Sequence, residues 1–250
     1  MSKNDGLYVE DSILVNLNGK KVSEVSNNLR FMLKAIYGAL DDEAFIKCSK
    51  TDDAFKPDLV IEINGVTKYV SVKTGSAENV HNEVVGYFVD YLKSEGISDK
   101  TIETILLYQY GDGTTDGSGT DRKGYLAIRT ELDKRIKQAN EELNWNKEFV
   151  FKTIYRCILQ GVNDKGPMVD AIYFGTKDYG ITCTRKQLLT HIRRRNFSYF
   201  ENLHIGPLLL RPHSRYSGTD VKSERNKSRI VAYWPNLNAD LNYIANRYDY

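Results

Sequence analysis

The sequence predicts an α/β fold, with helices against a β-sheet and an α+β elaboration in the C-terminal part. Three observations carry that expectation. Apolar residues recur at helical spacing through Val22, Val25, Leu29, Met32, Leu33, Ile36 and Leu40. Two β-rich runs, 57–63 and 68–73, meet at Asn64-Gly65, the pair that two-residue hairpin turns prefer. The order that results is helix, three strands, helix, strand.

Residues 7–18 carry a poor signal and read as a short strand pair or an arm. Ser23 is placed to cap the first helix, with Glu24 in its first turn. Residues 44–50 read as the first strand, and the hairpin supplies the next two. Val80, Val84, Tyr87, Phe88 and Tyr91 share helical spacing, so 79–93 is expected to be the second helix. Residues 104–110 are apolar and β-favouring, and read as a further strand. The segment 111–119, GDGTTDGSG, lacks the GxxxxGK[ST] phosphate loop. It reads as a mobile loop near a ligand or as a plain surface loop. A charged helix over 131–143 and a more apolar stretch over 147–159 follow. Strands are expected at 171–174 and 180–184, joined at Lys177-Asp178. No repeat or linker divides the chain. A core over 1–160 and an elaboration over 161–250 are expected to form one continuous domain.

At 41% hydrophobic and 27% charged, the 250 residues have the composition of a soluble globular protein. No run of eighteen apolar residues occurs, so no membrane span is expected. The first residues lack the apolar stretch of a signal peptide. Cys48, Cys157 and Cys183 are odd in number and far apart, which argues against a zinc ribbon or a disulfide framework and suits a reducing cytoplasm. The four histidines, at 81, 191, 204 and 213, lack metal-ligand spacing. The formal charge of +2 hides an asymmetry: 1–150 carry 19 Lys/Arg against 25 Asp/Glu, and 151–250 carry 16 against 8. The basic half suits a polyanion partner.

The densest chemical signal is KPDLVIEINGVTKYVSVKTG. Pro57-Asp58 opens one strand of the hairpin and Ser71-Val72-Lys73 closes the other. Alternation puts Ser71 and Lys73 on one face and Val70 and Val72 on the other. The hairpin therefore brings an aspartate toward a lysine. That pairing suits metal-dependent phosphodiester hydrolysis, in which an acid holds Mg²⁺ and a cation meets the phosphate or the attacking water.

On these residues, over about 22–110, the chain resembles the PD-(D/E)XK nuclease superfamily of many type II restriction endonucleases. The resemblance implies a restriction-endonuclease-like core, a central mixed β-sheet flanked by helices. It also implies Mg²⁺-dependent cleavage of double-stranded DNA at a specific sequence by a homodimer. Pro57-Asp58 and Lys73 match the family pattern, whereas Ser71 stands where the family has an acid. Some restriction enzymes of the family pair Ser-X-Lys with a glutamate on the following helix, and Glu83, on the inward face of the expected second helix, fits that variant. Glu78 lies nearer that helix's start. Glu62 is four residues from Asp58, roughly 13 Å along a strand. The implied roles are Asp58 and Glu83 as Mg²⁺ ligands, Lys73 on the attacking water, and Ser71 on a metal-bound water. An acid at the first helix, Glu24 or Glu43, would support a second metal or simply lie in solvent. Two alternatives stand: a repair or structure-specific nuclease of the same fold, and a DNA-binding relative without catalysis, which Ser71 favours.

Substrate contacts are expected from TRKQLLTHIRRRNFSYF. Leu188, Leu189 and Ile192 face inward there, leaving Arg185, Lys186, Arg193, Arg194 and Arg195 outside, with Phe197, Tyr199 and Phe200 following. Basic residues among aromatics suit phosphate contact and stacking. A basic helix that complements its own dipole is the other reading. Arg211 and Arg215, in a polar stretch running to Arg229, add a second basic segment.

Overall fold

The computed structural model describes residues 5–75, 79–162, 165–197, 201–213 and 220–248. It divides into two compact units. Unit 1 comprises 1–77, 158–194 and 236–250; unit 2 comprises 78–157 and 195–235. The expected division at residue 160 is therefore replaced by a chain that leaves unit 1 and returns to it twice.

Unit 1 opens with α1 (Asp5–Leu17) and α2 (Asn27–Tyr37), followed by β1 (Ile46–Lys50), β2 (Leu59–Ile63) and β3 (Val66–Lys73). The chain then builds β4 (Asn79–Val84), α3 (Val85–Ser94), α4 (Asp99–Tyr110), α5 (Tyr125–Glu131), α6 (Asp133–Trp145) and α7 (Lys147–Ile154) of unit 2. A π-helical turn, Tyr155–Gln160, leads to β5 (Ala171–Gly175), β6 (Gly180–Thr184) and α8 (Arg185–Arg194). Unit 2 resumes with β7 (His204–Ile205), β8 (Leu208–Pro212), α9 (Val221–Lys227) and β9 (Arg229–Tyr233). Finally, α10 (Leu237–Arg247) belongs to unit 1.

Among the described residues, unit 1 holds a mixed five-stranded sheet in the order β1-β2-β3-β5-β6 with helices against it. β1, β2 and β3 run antiparallel in turn, β5 is parallel to β3, and β6 is antiparallel to β5. The turn between β2 and β3 has Asn64 at φ 50° and Gly65 at φ 76°, the two left-handed residues of a type I′ hairpin. That turn fixes the register, pairing Leu59 with Val70 and Glu62 with Thr67. Ile13, Leu17, Leu29, Leu33, Ile46, Leu59, Ile61 and Val70 form the adjoining core. Unit 2 holds an antiparallel sheet in the order β4-β9-β8-β7.

Several elements differ from expectation. Residues 7–18 lie in a helix, α1. Ile13 and Leu17 are buried, but Leu7, Tyr8 and Val15 are exposed, so the apolar stripe is blurred in sequence. The next helix begins at Asn27 and is capped by Ser26, whose Oγ accepts from Leu29 N at 3.4 Å; Val22–Glu24 form a 3₁₀ turn before it. Residues 79–84 are a strand rather than the start of a helix. The register shifts between Asn79 and His81, leaving Val80 and Glu83 buried three residues apart, a spacing that imitates a helix. Residues 104–110 are helical. Ser98 caps α4, Gly111 ends it at φ 64°, and these boundary signals outweigh local β propensity. The strands expected at 171–174 and 180–184 are present as β5 and β6, but they extend the unit 1 sheet rather than a separate elaboration.

Candidate active site

The hairpin positions the site. Asp58 precedes β2, with its backbone N–H bonded to Val70 O at 2.9 Å, and so faces the C-terminal end of β3. Its Oδ2 accepts from Ser71 Oγ at 2.9 Å, Val72 N at 2.6 Å and Lys73 Nζ at 3.3 Å. The Lys73 ammonium also donates to Ser71 Oγ at 2.8 Å and Val72 O at 2.9 Å. Ser71 is buried, while about a fifth of the Lys73 side chain and a quarter of the Asp58 side chain reach solvent (20% and 26%). The expected convergence of Asp58, Ser71 and Lys73 is thus present. Asp58 Oδ1 accepts no bond from the described residues.

A residue missing from the sequence reading joins them. Glu10 lies on α1 in the stripe of Ile13 and Leu17, the face turned to the core. Partial burial, and then the nearby charge of Asp58, raise its carboxyl pKa; Lys50 and Lys73 oppose the shift. The charges of Asp58, Lys50 and Lys73 thus all act on the Glu10 carboxyl. Asp11, beside Glu10, instead pairs with Lys50 at 2.7 Å. The signal in the sequence was the run Glu10, Ile13, Leu17, concealed by the outward Leu7, Tyr8 and Val15.

Glu83, Glu62, Glu43 and Glu24 are engaged by other partners. Glu83 is on a strand of unit 2, not on a helix, and is 3% exposed. Arg156 donates to its Oε1 at 3.2 Å and its Oε2 at 2.6 Å, and His81 Nε2 sits 3.1 Å from Oε1. Burial alone would raise the Glu83 pKa, but the bonds from His81 and Arg156 hold it below the usual range. Both oxygens are committed. Glu62 pairs with Lys47 at 2.9 Å, four rungs along β2 from the site end. Glu43 pairs with Lys21 at 2.7 Å, and Glu24 accepts from Lys21 N at 2.9 Å. Glu78 lies outside the described residues.

The basic cluster is divided. Arg185 pairs with Asp170 at 3.1 Å rather than projecting freely, and the same carboxylate accepts from Tyr69 N at 3.0 Å, tying α8 to the sheet. Lys186, Arg193 and Arg194 are exposed on α8 of unit 1, whereas Arg195 and Arg211 belong to unit 2. Leu188 and Ile192 are buried as expected, while Leu189 is half-buried. Arg215, Tyr199 and Phe200 lie outside the described residues. The charge asymmetry between sequence halves also disappears in space. Unit 1 carries 17 Lys/Arg against 16 Asp/Glu and unit 2 carries 18 against 17, or +1 each.

No set of three His, Cys, Asp or Glu side chains among the described residues is grouped to hold a metal ion. Mg²⁺ does not require one. It keeps several waters and takes one or two carboxylates plus substrate phosphate oxygens. Asp58 Oδ1 and the Glu10 carboxylate are hard oxygen donors of that kind, so the residues fit Mg²⁺ better than a softer metal. No helix of the described residues is long and apolar enough to cross a membrane. No family model matches the chain, and no curated protein matches it.

Proposed function

We propose that this chain is a Mg²⁺-dependent endonuclease of the PD-(D/E)XK superfamily, hydrolysing phosphodiester bonds of double-stranded DNA in the manner of type II restriction enzymes. One observation carries the reading: Asp58, Ser71 and Lys73 converge at the open end of a hairpin, with Glu10 in electrostatic contact. The architecture supports it, because helix, three antiparallel strands and a later parallel strand follow one another in unit 1.

Asp58 and Glu10 would hold Mg²⁺, which supplies polarisation of the phosphate and charge neutralisation. Lys73 positions the attacking water and places a positive charge beside the oxygens that become more negative in the transition state. Ser71 holds the Lys73 ammonium in place through the 2.8 Å bond and donates its own proton to Asp58 Oδ2. Val72 N fixes Asp58 through Oδ2, and the other oxygen would take the metal. Glu10 here takes the role that the sequence suggested for Glu83. A symmetric homodimer, with one site per strand, would cut both strands at a two-fold sequence.

The test is cleavage of duplex DNA in Mg²⁺ by Lys73→Ala and Glu10→Gln variants. Both should fall by about 10²-fold or more while circular dichroism is unchanged. Wild-type rates in both would remove this site from the reaction.

A further inference from the structure

The chain that leads into Asp58 rests on a contact that the proposed reaction does not explain. Residues 51–57 join β1 to β2 and end on the buried Pro57. Thr51 closes the base of this loop: its N–H donates to Asp58 O at 3.2 Å, and its hydroxyl donates to Pro57 O. Asp52 turns the chain inside it, accepting from Ala54 N at Oδ1 (2.8 Å) and from Phe55 N at its carbonyl (2.9 Å). Phe55, half-buried, then packs on another segment of unit 1, the connection into β5. A Cβ at Gly166 would lie 2.5 Å from Phe55 Cδ1 and 3.1 Å from Cε1. Gly166 does not have a positive φ, so what this position requires is room for the ring rather than glycine's backbone freedom. Gln160 Nε2 donates to Gly166 O at 3.3 Å and ties the same connection to the preceding π-helical turn.

The bonds from Ser71 and Val72 reach only Oδ2 of Asp58. The direction of its other oxygen therefore follows the backbone that carries the side chain. We infer that Phe55, seated on Gly166, is a positioning residue for Asp58. The contact sets the place of the 51–57 loop, and Pro57, with its fixed φ, passes that placement directly to Asp58. The inference rests on the nuclease reading for the reaction that Asp58 serves, and not for the contact itself.

The test uses the full chain with Gly166→Ala, Phe55→Ala and the two together. Three quantities are measured for each: the rate of duplex cleavage in Mg²⁺, the thermal midpoint, and the carbon-13 carboxyl resonance of Asp58, assigned by its loss in Asp58→Asn. Gly166→Ala should displace the ring, move the Asp58 resonance and slow cleavage by up to about 10²-fold. Phe55→Ala should move the resonance and slow cleavage as well. The double variant should be no slower than Phe55→Ala alone, because the added methyl acts only through the ring. A lower midpoint with an unmoved resonance and a wild-type rate in folded Gly166→Ala would show a purely structural contact and overturn the inference. A double variant slowed by the product of the two single effects would overturn it too. If Gly166→Ala fails to fold, Phe55→Ala decides alone: an unmoved resonance and a wild-type rate overturn the inference. A wild-type chain that cuts no DNA would refute the nuclease reading. The Asp58 resonance needs no cleavage, and in that case its movement in Gly166→Ala still supports the positioning contact while its constancy overturns it.

Discussion

Asp58 uses one carboxylate oxygen to organise its surroundings, while the other accepts no bond from the described residues, and this division makes it the centre of the site. Its neighbour Glu10 gives a stability prediction with a definite sign. The Glu10 pKa is raised above the ordinary 4.5, so the ionised form is disfavoured by the fold. That cost is absent below pH 4.5 and grows as pH rises through the raised value. Glu10→Gln should therefore raise the thermal midpoint of the metal-free protein by about 1–2 °C at pH 7, and the gain should vanish at acid pH. The same substitution should raise the Mg²⁺ concentration needed for half-maximal activity by roughly tenfold. A scanning-calorimetry pH series and a Mg²⁺ titration check the two halves. A loss of stability at pH 7 would mean that the Glu10 carboxylate is satisfied by the fold. At this scale the sequence showed Asp58, Ser71 and Lys73, because alternation along a hairpin is a short-range rule. It concealed Glu10, whose place depends on how α1 packs against a sheet formed later in the chain.

At the scale of elements, β4 shows how burial misleads. Glu83 sits inward at helical spacing from Val80 because a bulge, not a helix, brings both to one side. Its buried carboxylate is bound through both oxygens to Arg156, whose guanidinium lies 4.9 Å from the Tyr91 ring centre. Removing one member of such a pair strands the other. Glu83→Gln should cost about 3–5 kcal/mol of unfolding free energy by denaturant titration. In material that remains folded, the Mg²⁺ requirement should be unchanged. Because the Glu83 pKa is lowered, its contribution is present above pH 4.5 and is lost as pH falls through the lowered value. A folded Glu83→Gln protein that needs far more Mg²⁺ would return this residue to the catalytic set. The hairpin was legible because Asn64 and Gly65 carry the φ angles their residue types favour. α4 was not, because Thr104, Ile105 and their neighbours are β-favouring residues recruited into a helix by capping and by the burial of Ile102, Ile105 and Tyr108.

At the scale of the whole molecule, the chain threads two units, and sequence halves do not correspond to them. The parallel pairing of β3 with β5 joins residues about a hundred positions apart, with 78–157 of unit 2 between them. No local pattern announces so long an excursion, and this is why the C-terminal strands looked like an elaboration. The basic residues are shared between units of equal net charge, so DNA affinity should follow particular clusters rather than overall charge. Lys186, Arg193 and Arg194, exposed on α8, should contact phosphates. Changing all three to Gln should flatten the logarithmic salt dependence of duplex binding by about one unit per lost contact, equally for target and scrambled sequences. An unchanged slope in gel-shift titrations would place DNA away from α8. The account's central claim, that Asp58 anchors Mg²⁺-dependent cleavage, is tested most directly by incubating plasmid DNA with wild-type and Asp58→Asn protein, in Mg²⁺ and in EDTA, and mapping the ends. It predicts discrete double-strand ends in Mg²⁺ only, with the Asp58→Asn rate lower by about 10³-fold or more. Equal cleavage by the two proteins, or none by the wild type across diverse DNA, would contradict it.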